Sequence, residues 1–438
     1  MIVRFGYVAM SVHIQNASPS KTMTFKSFSG LEDRDAGVRK LERIAAENLQ
    51  NTLRLLKHNK AEGIRLYRMS SKLIPLMTHE TMEGWDPFEA LEADFRALGT
   101  YAIENGMRLS FHPDHFTVLS TPREDVFAKS VNDLDWHVRM LERMGLDERY
   151  KCNIHIGGTY GDKAKAFDRF VRQFESMPAR IRHRITLEND DKTFTAKETL
   201  EACRRVGVPM VLDIHHHWVN NDGERAEELW PDILETWEAE KRRVATAEAD
   251  GAAAASSRRD GARDGLAEAG SAESEVESEV ARRAGEAGFA RRSPEARAAE
   301  KSGGDHGGTP DGGGTGRAAT ATLDPTDGAA ASSGGAATSP GGAEGASAAA
   351  GGTRATTEEL LAPKIHVSSP KSDKDPRGHA DYVDADAFLA FARAIAPFTP
   401  RLDVMIEAKR KDDALFRLVA ETAERPGVRR LGGATVEL

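Results

Sequence analysis

Eight short apolar runs, each closing on a polar or charged residue, set the tightest constraint on how this chain can fold. They are Val3 to Tyr7, Ile64 to Arg68, Met107 to His112, Cys152 to His155, Arg184 to Glu188, Pro209 to Asp213, Pro363 to His366 and Leu402 to Glu407. Stretches of helical periodicity separate them. In Val38 to Lys57, for example, Leu41, Ile44, Ala45, Leu49, Leu53 and Leu56 recur at three and four residues. Similar patterns cover Pro87 to Asn105, Arg123 to Met144, Lys163 to Ser176, Thr195 to Val206, Glu224 to Glu238 and Ala385 to Ala396. Strand, helix, strand repeated along a chain implies parallel crossover units, and eight of them close into a barrel. The strand C-termini of such a barrel share one face, so residues about 300 positions apart can converge there.

Composition separates the barrel from filler. From Lys241 to Glu358 the chain is dominated by Ala, Gly, Ser and Glu, and its large apolar residues are only Val244, Leu266, Val276, Val280, Phe289 and Leu323. Such a segment buries too little apolar surface to offset its ordering entropy. The expectation is an α/β TIM (β/α)8 barrel with a long disordered insertion between helix six and strand seven. Residues 1–240 and 359–438 form the single catalytic domain, and 241–358 form the low-complexity insertion, with short transient helix before Glu300. A surface connection tolerates such a length at modest entropic cost.

The net charge of −9 does not exclude a nucleic-acid substrate, because it is unevenly placed. The insertion holds 14 Lys and Arg against 18 Asp and Glu, leaving −5 on the folded part. Several of those remaining acids sit at strand tips, where bound cations would neutralise them. Cys152 and Cys203 show neither zinc-knuckle nor disulfide spacing and read as reduced core thiols. Met1 to Met10 lacks the marks of a secretion signal, and no run approaches bilayer-spanning length. A cytoplasmic monomer without membrane contact is expected.

The strand tips carry the chemistry. His112 and His155 end successive runs and Glu188 ends the next. Imidazoles plus a carboxylate suit zinc, manganese or iron better than magnesium. Asp213 opens Asp213-Ile214-His215-His216-His217, and spacing alone leaves open which histidine would bind a metal. Lys364 and His366 share a strand face, as do Glu407 and Lys409. Taken together, His112, His155, Glu188, Asp213, His216, His366, His379 and Glu407 would supply two or three divalent ions, a set suited to phosphodiester hydrolysis. The loop Gly157-Gly158-Thr159-Tyr160-Gly161-Asp162-Lys163 leads into a helix, so free backbone N–H groups and Lys163 could hold a phosphate. His115 and Phe116 stand on a short loop where an aromatic side chain could wedge between bases or stack on them.

In order along the chain, Phe5-Gly6-Tyr7, Leu73-Ile74-Pro75, Ser110-Phe111-His112-Pro113, His155 through Lys163, Leu187-Glu188-Asn189-Asp190, Asp213-Ile214-His215-His216, Lys364-Ile365-His366 and Glu407-Ala408-Lys409 resemble the UV damage endonuclease family. The resemblance spans Val3 to about Lys409 apart from the insertion. It implies a barrel related to endonuclease IV that nicks double-stranded DNA immediately 5′ of UV photoproducts (pyrimidine dimers and 6-4 photoproducts) and leaves a 3′-hydroxyl. By the same resemblance, His112, His155 and Glu188 would hold one ion. Glu188, Asp213, His366 and Glu407 would hold a second, and His216 with His379 a third. Manganese is the first expectation, with zinc, cobalt or magnesium as alternatives. The catalytic expectation falls on Glu188, Lys364 and Glu407. Tyr7 would line the pocket for the damaged dinucleotide, His115 and Phe116 would probe the helix opposite the lesion, and Gly157, Gly158, Tyr160 and Lys163 would contact DNA.

This chain departs from relatives that carry Gln-Tyr at the probing pair, and it has Arg377 where endonuclease IV relatives carry an Asp before the last third-site histidine. The rival readings are an abasic-site endonuclease, a metal-dependent sugar isomerase on the same barrel, and a non-catalytic damage sensor. Sequence leaves open the native metal, the lesion preference, the role of the insertion and whether Lys364 is carboxylated.

Overall fold

The computed structural model describes residues 1–114, 116–251 and 354–438. Its strands are β1 (Ile2–Val8), β2 (Leu66–Arg68), β3 (Arg108–Ser110), β4 (Cys152–His155), β5 (Ile185–Glu188), β6 (Met210–Asp213), β7 (Lys364–Val367), β8 (Pro370–Ser372), β9 (Asp375–His379), β10 (Arg401–Ile406), β11 (Arg429–Gly432) and β12 (Thr435–Glu437). Parallel ladders run β4-β5-β6-β7-β10-β1-β2-β3. One parallel bridge, Phe111 to Cys152, joins β3 to β4 and brings the eight-stranded barrel almost to closure. All eight apolar runs became its strands. Helices Arg34–Ala61, Glu92–Glu104, Glu124–Arg143, Lys163–Ser176, Ala196–Val206 and Ala385–Ile395 lie where the periodicity places them.

Several pieces, the helix Lys411–Ala423 and two hairpins among them, had no counterpart in the periodicity. The antiparallel hairpin β8-β9 follows β7, and after the helix Lys411–Ala423 the chain closes with the hairpin β11-β12. There β12 pairs with the first residues of β1, and the Met1 amine donates to Leu438 O at 2.6 Å. Among the described residues no helix is long and apolar enough to cross a membrane.

Strand alternation sorts the side chains. On β1, Val3, Phe5 and Tyr7 are buried in the main hydrophobic core, and Phe5 meets Phe388 of helix Ala385–Ile395 edge-on at 5.5 Å. Between them Arg4 points into the barrel. Gly6 is required there, since a Cβ would stand 2.1 Å from Leu66 O on β2. The barrel base is ionic. Asp403 on β10 accepts from Arg4 at 2.7 and 2.9 Å and from Arg108 on β3 at 2.6 Å. Because β3 and β10 are not neighbours, the last contact crosses the interior. Trp237 supports the Arg108 guanidinium at 5.1 Å.

The insertion begins later than its composition suggested. The sixth crossover helix runs over 230–251, past the expected boundary at 241. Trp237, Glu240 and Val244 are spaced for one helix face, and all three are buried. Glu240 forms an ion pair with buried Lys151, and Lys241 reaches Glu358 at 2.7 Å. A capping box at Thr356 and Glu359 opens the short helix Thr357–Leu360. Composition missed this because the polar letters around Val244 belong to the helix's solvent side. The rest of the expected insertion lies outside the described residues.

Two predictions follow from these contacts. Burial alone would raise the Asp403 carboxyl, but Arg4 and Arg108 outweigh it and hold the group below its ordinary value. A depressed carboxylate contributes stability above its unfolded pKa of about 3.9 and loses it as pH falls through the folded value. Asp403→Asn leaves two buried guanidiniums uncompensated and should cost about 3–5 kcal/mol near neutral pH, with the gap narrowing in acid. Urea unfolding at both pH values checks it, and equal midpoints near neutrality would contradict it. Replacing 252–353 with a short Gly/Ser linker should leave the melting temperature nearly unchanged. Replacing 241–358 should lower stability by at least the roughly 1.5–3 kcal/mol of one buried Val.

Candidate metal centre at the barrel mouth

The C-terminal ends of β3 to β7 and β10 bring His112, His155, Glu188, Asp213, His366 and Glu407 together. Ligand atoms of His112, His155 and Glu188 lie within 4.8 Å of one another, as do those of Glu188, Asp213, His366 and Glu407. Glu188 belongs to both groups. Its Oε2 is 3.3 Å from His112 Nε2 and 3.1 Å from His366 Nδ1, which is also 3.1 Å from Glu407 Oε1.

Four histidines are held in the same way. The Nδ1 of His112, His155, His216 and His379 lies 3.0–3.2 Å from the backbone oxygen of Pro113, Glu188, Asn189 and Glu407, respectively. Donation from Nδ1 to a carbonyl fixes the tautomer and leaves an Nε2 lone pair, the arrangement metal-binding histidines use. Asp213 caps the helix Ile214–Val219, its Oδ1 accepting from His216 N–H at 2.7 Å, while buried Oδ2 has no hydrogen-bond partner. Neither ring nitrogen of buried His366 makes a hydrogen bond of acceptable geometry. Orphaned donors of this kind beside buried carboxylates fit a divalent cation.

Charge is balanced here by protons and one guanidinium. Burial would raise Glu188, yet His366 and His155 hold it well below the usual carboxylate range. Glu407 is also low, because Arg68 and His366 outweigh burial. Asp213 is raised by burial and, despite His216, by Glu188 and Glu407. Burial would lower His216, but Asp213 and Glu188 push it up to about 9.

Some supporting residues escaped the sequence reading. Arg68 pairs with Glu407, Asn153 donates to Glu188 Oε2, and Thr186 Oγ1 donates to Asn153 Oδ1 at 2.7 Å. Asn189 clamps β6 by donating to Asp213 O at 3.0 Å and accepting from Asp213 N–H at 2.9 Å. A signal existed for Asn153, which lies two residues before His155 and so on the same strand face.

Other expected residues fall in different places. Of the three consecutive histidines, His216 faces the cluster, with Nδ1 3.6 Å from Glu188 Oε1. His215 is tied to Ser368 Oγ and Pro376 O, both at 2.7 Å, and His217 to Glu224 O at 3.1 Å. His216 and His379 have ring centroids 6.3 Å apart, but no group of three donors forms around them among the described residues. Lys364 is buried two residues before His366, and burial, with Arg108 and Arg68, pushes its ammonium down to about 7.

Tyr7 does not line the mouth. Its odd position on β1 turns it outward, where it is buried, stands edge-on to Tyr67 at 5.3 Å and donates to Asn59 Oδ1 at 2.8 Å. The anticipated phosphate cradle is also altered. The Asp162 carboxylate caps helix Lys163–Ser176, and Lys163 turns to Glu198 at 2.7 Å. Gly157 and Gly158 do line a cavity of about 430 Å³ beside His112, His155 and His216. Gly157 has φ +112°, and a Cβ would meet Ser120 Oγ at 2.6 Å. At the rim Phe116 is 73% exposed and Tyr160 50%. His115 lies outside the described residues.

The model of the family UV-endonuclease UvdE matches residues 3–281 and 352–438. A UV DNA damage endonuclease of Halalkalibacterium halodurans is 33% identical over 438 residues, covering all of this chain and 99% of the relative. One from Bacillus pumilus is 32% identical with the same coverage. The crystal structure of SacUVDE superposes with a TM-score of 0.59 at 20% identity, covering 94% of this chain and 95% of that one.

Tyr7→Phe separates a core role from a pocket role. Loss of the buried bond leaves Asn59 Oδ1 without its donor and should lower the unfolding free energy by about 1–3 kcal/mol in a denaturant titration. A variant as stable as its parent would contradict the core assignment.

Proposed function

We propose, from the premise that this chain belongs to the UV-endonuclease UvdE family and is a DNA repair endonuclease, that it hydrolyses the phosphodiester immediately 5′ of a UV photoproduct in double-stranded DNA and leaves a 3′-hydroxyl. The observation that carries this reading is the pair of ligand groups sharing Glu188 at the barrel mouth.

His112, His155 and Glu188 would hold one divalent ion, and Glu188, Asp213, His366 and Glu407 a second, with manganese the first expectation. Zinc, cobalt and magnesium remain alternatives. When bound, such ions supply a water of lowered pKa and stabilise charge on the phosphate and the leaving oxygen. The chain's own residues do the rest. Glu188 spans both groups and fixes their separation, with Asn153 holding its Oε2. Arg68 holds Glu407 in its charged form, and Asn189 keeps Asp213 in register. Lys364, with an ammonium near 7, can exchange a proton close to neutral pH beneath the cluster. Phe116 on the β3 loop supplies an exposed ring able to wedge beside a lesion. Only two ions are proposed, since His216 and His379 lack a third protein donor among the described residues. The free, buried Cys152 and Cys203 accord with a reducing cytoplasm, and the reading takes the protein to act there as a monomer.

The test is a nicking assay on UV-irradiated, abasic and undamaged duplexes, with and without manganese. Manganese-dependent cleavage confined to irradiated duplex is expected, and preference for the abasic duplex would overturn the lesion assignment. Glu188→Gln should reduce nicking by at least about 100-fold, the scale of losing one preorganised electrostatic contact, and should lower bound manganese. Full activity in that variant would sink the two-ion reading.

A further inference from the structure

We infer that Trp218 is a second aromatic contact to the DNA substrate, on the opposite flank of the metal cluster from Phe116; this rests on the nuclease reading above. Trp218 lies on the short helix Ile214–Val219 that starts at Asp213, so it is anchored directly to the cluster. Its indole is 60% exposed, whereas Trp230 and Trp237 are fully buried. An indole left in water on a helix whose other face is packed against β6, β7 and β9 has no structural role to explain it.

Its surroundings suit a polyanion with stackable bases. His215, pinned at both ring nitrogens, stands beside the indole with ring centroids 6.4 Å apart. The neighbouring hairpin β8-β9 exposes Lys371, Lys374 and Arg377, and the loop after β5 exposes Lys192. Lys371 pairs with Asp375 at 3.0 Å and Arg377 with Asp191 at 3.5 Å, while Lys374 and Lys192 make no ion pair among the described residues. Exposed Asp373 and Asp222 stand among these cations, so the surroundings offer individual phosphate contacts and not a net positive patch. Going round the barrel, the tips of β4 and β5, bearing His155 and Glu188, lie between the β3 loop that carries Phe116 and the helix after β6 that carries Trp218. A duplex spanning both aromatics would therefore pass over the metal ligands, with phosphates on the cations and a base or sugar against the indole.

The experiment compares the parent with Trp218→Ala and Trp218→Phe on irradiated and undamaged duplex at fixed salt. For Ala, the half-saturating duplex concentration in single-turnover nicking should rise about tenfold, within the range of base–aromatic stacking. Maximal rate, manganese content and melting temperature should stay at parent values, and Phe should restore most of the affinity. Tryptophan fluorescence of the parent should be quenched by duplex, and the quench should largely vanish in Trp218→Phe. Unchanged half-saturation with unchanged quenching would overturn the inference, as would a fall in manganese content or melting temperature that tracks the loss of affinity. Failure of the nuclease reading shows separately, as a parent that does not nick irradiated duplex; Trp218-dependent quenching in that protein would still support the nucleic-acid contact.

Discussion

Three carboxylates meeting in one small volume, Glu188 and Asp213 buried and Glu407 partly so, dominate the energetics of this barrel. Glu188, Asp213 and Glu407 offer oxygens within 4.8 Å of one another. At an effective permittivity of about 20, each like-charged pair at that distance costs on the order of 3 kcal/mol. The protein answers with Arg68 against Glu407, with His216 and His366 pushed toward their charged forms, and with Asp213 pushed toward neutrality. Each adjustment draws on groups that a divalent cation would release, so the same geometry that is costly without positive charge is a strong cation trap.

Holding such a cluster requires a polar barrel interior, and this shapes the fold well below the mouth. Asp403, Arg4 and Arg108 close the base, Thr186 and Asn153 transmit a hydrogen-bond chain upward to Glu188, and Lys364 occupies the level beneath His366. Apolar packing is displaced to the outer layer between strands and helices, where Phe5, Tyr7 and Tyr67 lie. The barrel thus has its hydrophobic core as a sleeve and its charges along the axis. That is why truncating a single interior ion has consequences that truncating an exposed one would not.

How far the sequence can be read follows from this division. Strand positions and tip residues were legible because period-two alternation and a closing polar residue are local signals. His112, His155, Glu188, Asp213, His366 and Glu407 all meet as those signals implied. Tyr7 was misplaced for the same reason in reverse: it sits near a strand tip, but its parity turns it to the helix layer, where Asn59 waits. Lys163 reads locally as a phosphate ligand because nothing near it announces Glu198, 35 residues away in sequence and adjacent in space. The insertion boundary differs because Lys241, Val244 and Glu358 look like filler until the Lys241–Glu358 pair and the burial of Val244 are seen. Trp218 gives no local signal, because its exposure depends on the short helix Ile214–Val219 that follows Asp213.

The rigid centre and the exposed rim carry different parts of recognition. The centre is rigid: backbone carbonyls fix His112 and His155, its helix cap fixes Asp213, Asn153 holds Glu188 and Arg68 holds Glu407, so on the proposed reading it would accept a phosphate presented at one position. It cannot by itself distinguish a damaged strand from an intact one, since a phosphodiester looks the same in both. Discrimination must come from how easily the duplex deforms to reach that position, and unstacking costs least where a lesion has already weakened the stack. Side chains that reward the deformation have to stand clear of the core and touch bases without touching the ligands. On the proposed reading, exposed Phe116 on the β3 loop and exposed Trp218 on the helix Ile214–Val219 would meet that requirement from two sides, dividing selectivity from chemistry within a single barrel face.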